Sequence, residues 1–111
     1  MQEMLFGKLN FKKRLNITVR SGSEWSNRLD VGEKFIAGND RSGFKTAKVR
    51  GNMTCDLGML RDGDLRGVLL KEHDPDARDY KGLKDTLQRI YGEDEIDDET
   101  LVTVVFFDII D

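Results

Sequence analysis

The side chains best suited to chemistry are concentrated early in the chain. Lys12, Lys13 and Arg14 follow one another, and Arg14, Asn16, Thr18 and Arg20 recur at two-residue intervals. In an extended segment that interval places side chains on one face, so cations, an amide and a hydroxyl share a surface. Such a set suits nucleic acid: cations meet phosphates, and amides and hydroxyls read a base edge. Trp25 offers an indole that can stack on a base; its plainer role is to close one end of a small core. Arg41, Lys45, Lys48 and Arg50 would enlarge the basic surface. Each of these cations taken alone also reads as a solvated strand-face charge.

Other reactive types are sparse. His73, beside Pro75 and near Asp76, is either a general base or a solvated loop histidine. Cys55 is the only cysteine and His73 the only histidine, too few for a disulfide or a Cys/His zinc site. Cys55 therefore reads as a small core residue. The acidic run Glu93–Glu99 lacks the glycine and the Asp/Asn spacing of a calcium loop. It reads as a solvated loop or as a negative surface for a protein partner. With no phosphate-loop, dinucleotide or zinc spacing, no metal or organic cofactor is expected.

A chain of 111 residues, 38% apolar and 35% charged, supports one domain, 1–111, around one core. Every apolar run is interrupted before the length of a membrane span, so no membrane partner is expected. The start shows no secretory apolar segment, and with a single cysteine the expected compartment is the cytoplasm. The formal charge of −3 hides a division. Residues 1–50 hold 11 Lys/Arg against 5 Asp/Glu and residues 51–111 hold 7 against 16, net charges of +6 and −9. Either a basic surface awaits an anionic ligand or the halves neutralise each other on folding.

The elements that must position these groups follow from periodicity. Leu15–Arg20 alternates as a strand that buries Leu15, Ile17 and Val19 and presents Asn16, Thr18 and Arg20. Ser21–Ser26 is loop chemistry that carries Trp25. A second strand begins at Lys34, Gly38–Gly43 is a loop, and Phe44–Thr54 is a third strand. Ala47, Val49 and Met53 share its apolar side, with a bulge at Gly51. Leu65, Val68 and Leu69 fit a short helix over 64–70, and Pro75 forces a connection. Asp79–Tyr91 is the strongest helix, capped by Asp76 or Asp79 and ended by Gly92. Leu101–Ile110, almost all β-branched or aromatic, is a strand buried on both faces.

In that order the chain resembles the ASCH family of small β-barrels related to RNA-binding PUA domains. The resemblance runs from about Lys12 to Ile110. It rests on Thr18-Val19-Arg20, Leu29-Asp30-Val31-Gly32-Glu33, Leu65-Arg66-Gly67-Val68, the helix Leu83–Tyr91 and the closing strand Val102–Phe107. It implies an α+β fold: a small, mostly antiparallel PUA-like barrel with two or three flanking helices, binding RNA or a modified nucleoside in a cleft. Lys12, Arg14, Asn16, Arg20 and Trp25 would line that cleft, with Asp76 opposite. The family motif Gly-x-Lys-x-x-x-x-Arg, ended on Arg20, places its glycine at Lys13 and its lysine at Leu15. Some members resemble amidohydrolases of N4-acetylcytidine. By that likeness Thr18 is the hydroxyl, Asp76 the carboxylate, and Lys13 the amine that must bend into the cleft.

Overall fold

The computed structural model describes residues 1–7, 11–62 and 79–110. The helix predicted over 64–70, the connection around Pro75, and both His73 and Asp76 lie outside the described residues. The strands are β1 (Glu3–Leu5), β2 (Asn16–Ser21), β3 (Lys34–Asn39), β4 (Gly43–Asp56) and β5 (Leu101–Ile109). The helices are α1 (Glu24–Arg28), α2 (Met59–Asp62) and α3 (Tyr80–Tyr91), with a 3-10 turn at Glu93–Glu95.

The strands form one sheet in the order β1-β3-β4-β5-β2. β1 runs parallel to β3 and the other pairings are antiparallel. The fold is thus α+β as expected, but with a mixed sheet. Its curl is visible from its edges. In a flat sheet of this order β1 and β2 would stand about 19 Å apart. Instead the guanidinium of Arg20 in β2 lies 4.5 Å from the ring of Phe6, directly after β1. The sheet is therefore a half-barrel with an inner and an outer face.

Each face has its own core. The inner one gathers Met4, Phe6, Phe35, Ala47, Val49, Val105, Phe107 and Ile109, with Phe11 and Trp25 packed against it. Its rings meet edge-on: Phe35 and Phe107 are 5.3 Å apart, Phe6 and Phe11 4.9 Å, the arrangement that ring quadrupoles favour. The outer core joins Ile17, Val19, Cys55, Val102 and Val104 to Leu83 and Leu87 of α3. β5 lies between β4 and β2 and is buried on both sides, which explains its unbroken apolar run.

The bulge at Gly51 is present, as a register shift between Val49 and Gly51. It changes the phase of β4. Val49 stands opposite Phe107 and Asn52 opposite Val105, both on the inner face, whereas Met53 pairs with Val104 on the outer. Met53 therefore does not share the side of Ala47 and Val49, because one extra residue reverses strand parity.

α3 matches its pattern. Asp79 caps it, its carboxylate accepting from Gly82 N at 2.7 Å, and Gly92 ends it with a φ of 110°, a value that favours glycine. Leu83 and Leu87 are buried, but Ile90 and Tyr91 at the end of the same stripe are exposed.

Four expectations are corrected. Asn16 and Thr18 are not presented to solvent: they are 6% and 2% exposed, because the curl turns that side of β2 inward. Leu15 is not in the strand but has a φ of 54°, held where its N–H donates to Asp108 Oδ1 at 2.7 Å. Trp25 belongs to a short helix rather than a loop. The third strand is longer than read, and Gly38 and Asn39 extend the second.

Candidate functional site

β2 is an edge strand, and the inward turn of its polar side creates the site. Arg20 Nε donates to Thr18 Oγ1 at 3.0 Å, so a buried hydroxyl fixes the guanidinium plane. The plane lies over Phe6, itself held by Asn39 Nδ2 donating to Phe6 O at 2.7 Å and by Phe6 N donating to Gly38 O at 2.9 Å. Burial lowers the Arg20 pKa, opposed by nearby Tyr91; an arginine stays charged at any physiological pH regardless. Among the described residues no carboxylate forms an ion pair with it. The result is a partly desolvated cation with its Nη hydrogens uncommitted to any described residue. A phosphate, carboxylate or carbonyl oxygen would complete it.

The strand register extends a polar row from Arg20. Arg20 stands opposite Thr103 of β5, and Thr103 opposite Thr54 of β4. Thr103 is fully buried and donates to Gly22 O at 2.7 Å, while Thr54 is exposed. α1 borders this end of the inner face, fastened by Asn52 Nδ2 donating to Leu29 O at 2.9 Å. Trp25 is half-buried there, against the inner core, with Arg28 5.3 Å over its ring. The core-covering role of Trp25 is the one observed.

The remaining sequence candidates lie elsewhere. Asn16 is structural: its side chain accepts from Lys12 N at 2.8 Å and donates to Lys12 O at 2.7 Å. That exchange closes the turn that carries Lys12, Lys13 and Arg14, all exposed, at the opposite end of β2 from Arg20. Lys13 O accepts from Ile109 N, whereas Thr18 pairs with Val105, roughly 13 Å away along β5. Lys13 and Thr18 are therefore not brought together as an amine–hydroxyl pair, and Asp76 lies outside the described residues. Two groups around Arg20 carried no sequence signal: Phe6, in a segment too short to show a period, and Tyr91, which reads as part of the α3 apolar stripe.

Two further titratable groups serve the fold. The Cys55 thiol is buried, and burial followed by the neighbouring Asp56 raises its pKa. Asp98, in the acidic run, is not simply solvated. It accepts from Tyr80 Oη, from Lys84 Nζ at 3.0 Å and from Arg61 Nη1 at 3.2 Å. The hydrogen bonds from Tyr80 and then Lys84 hold its carboxyl down to about 2. The rest of the run is exposed apart from Ile96, with Asp97 accepting from Glu99 N.

Against known proteins, no family model, no curated protein and no solved structure matches this chain.

Proposed function

We propose that the chain is an ASCH-like domain, its half-barrel a form of the PUA-like barrel, that binds RNA or a modified nucleoside at the inner-face rim around Arg20. One observation carries the reading: the Arg20 guanidinium is held flat by Thr18 and Phe6, partly stripped of water, with no carboxylate partner among the described residues. Desolvating a charge is unfavourable unless something pairs with it. The ring of Phe6 offsets part of that cost, about 1–2 kcal/mol at a partly desolvated site. An anionic or carbonyl oxygen from a ligand offsets more.

At the far end of the polar row Thr54 supplies an exposed hydroxyl on the same face, the kind of group that reads a base edge or a ribose, while the buried Thr103 between it and Arg20 is committed to Gly22 O. Cytidine, cytidine 5′-monophosphate and a short single-stranded RNA, titrated while following Trp25 fluorescence, test the reading. Arg20→Lys keeps the charge but loses the planar fork and the bond to Thr18. Its expected effect is about a tenfold loss of affinity, the worth of one charge-assisted bond near 1.4 kcal/mol. Equal affinity of the folded variant and the parent for all three ligands would sink the assignment.

A further inference from the structure

Among the described residues, the outer face of the sheet is only partly covered. α3 packs over β2, β5 and the second half of β4; among the described residues no helix packs on the part built from β1, β3 and the first half of β4. On that part Phe44, Thr46, Lys48 and Arg50 succeed one another at two-residue intervals on one side of β4. Phe44 is 37% exposed, and Lys48 and Arg50 are exposed.

The register adds an unusual pairing: Lys34 of β3 stands directly opposite Lys48 of β4. Both are exposed, and among the described residues neither has a carboxylate in ion-pair reach. Like charges directly opposite on a sheet face destabilise it. Among the described residues the only acid in their row is Asp108, opposite Lys48, and its carboxylate is shared between Leu15 N–H and Arg50 Nε at 3.7 Å. Among the described residues, the acidic half of the chain thus answers the basic half at this face through Asp108 alone. Arg50–Asp108 is the one ion pair between described residues that joins residues 1–50 to residues 51–111.

From these facts we infer that the outer face of β3 and β4 is a second nucleic-acid surface, on which Lys34, Lys48 and Arg50 meet the phosphates of an extended single strand and Phe44 stacks on one of its bases. The inference rests on the nucleic-acid reading of the chain but uses none of the residues around Arg20. A single strand fits better than an acidic peptide because the cations share their face with an exposed ring, the pairing of backbone charge and stacking platform that single strands use.

The test is fluorescence anisotropy of a labelled 12-nucleotide oligouridylate across a salt series, with Lys34→Gln/Lys48→Gln, Phe44→Ala and Arg20→Lys compared with the parent. Two lost phosphate contacts should make the slope of log K against log salt shallower by about 1.4, at about 0.7 per contact for single strands. Phe44→Ala should weaken binding at least several-fold at every salt concentration. Because it relieves the repulsion, the double Gln variant should melt no lower than the parent, so weakened binding is not attributable to unfolding. An unchanged affinity and salt slope in that variant would overturn the outer surface, as would failure of the parent to bind the oligomer at low salt. Binding of polyglutamate as tight as that of the oligomer, and insensitive to Phe44→Ala, would overturn the choice of occupant. Oligomer binding that depends on Lys34 and Lys48 while Arg20→Lys changes nothing for either oligomer or mononucleotide supports this surface and removes the Arg20 site. The converse pattern removes this surface alone.

Discussion

Single residues here act through what they are forced to touch. Arg20 is positioned by Thr18 on one side and Phe6 on the other, and Phe6 by Asn39. Asn39 in turn accepts from Ser42 N at 2.7 Å within the β3–β4 hairpin, so the geometry of the cation traces back to a turn. Gly38 sits at the foot of that turn. A Cβ there would lie 2.1 Å from Gly43 O and 2.8 Å from Phe44 Cα, both backbone atoms. The backbone has no side chain to swing aside, so Gly38→Ala must move the hairpin. We expect it to lower stability by about 3 kcal/mol, the upper part of the overpacking range, as read from urea unfolding. A change below about 0.5 kcal/mol, the level of an ordinary surface substitution, would show that the close approach is not maintained. At this scale the sequence was only half legible. The types of Thr18 and Arg20 were readable as polar strand residues, but the burial of Thr18 was not. Burial depends on the sheet curling, and period two gives the same pattern for a flat sheet and a curled one.

At the level of elements, the pattern spoke most clearly where one residue class dominated. β5 was readable because both its faces are buried, and α3 because its caps and its Leu83–Leu87 pair agree. Asp79→Ala removes the acceptor for Gly82 N–H and should cost about 1 kcal/mol, the usual worth of an N-cap; Asp79→Asn, which keeps an acceptor, should restore most of it. Loss of less than a few tenths in Asp79→Ala, measured in the same unfolding assay, would mean that the helix start is held by other groups. The elements that escaped are short. β1 has three residues and α1 five, and neither length holds enough repeats for a period to appear. α1 also lacks a side-chain N-cap bond and any buried residue, so the signals used to find α3 were absent. The bulge was legible as a glycine in a strand, but its consequence, the switch of Met53 to the outer face, required the pairing with β5.

For the whole molecule, Asp98 ties separate parts together: Arg61 of α2, Tyr80 and Lys84 of α3, and its own segment before β5. Its main-chain carbonyl also accepts from Gly58 N at 2.8 Å. The carboxyl ionises at about 2 in the fold, against an ordinary 3.8. The unfolded chain therefore takes up the proton first as pH falls, and the stabilisation from this group is complete above about pH 4 and lost between about 3.8 and 2. Asp98→Asn should accordingly be less stable than the parent by a constant margin from pH 7 to pH 5. The margin should shrink toward pH 3 in urea titrations at each pH. A margin that persists unchanged at pH 3 would assign the cost to shape rather than charge.

The position of β5 also bears on the order in which the chain can fold. It is interior to the sheet, between β4 and β2, and the last of the five strands in sequence, and it brings Asn16 beside Phe107, 91 residues away. Until β5 has been synthesised, β2 has no partner strand and β4 has only β3. A growing chain can form the β3–β4 hairpin early, but both cores and the Arg20 site must wait for the final strand. Contacts this distant in sequence slow folding, because loop closure comes before the contacts that reward it. Nascent β2 and β4 then spend that interval as open strand edges, the condition in which chains associate with one another.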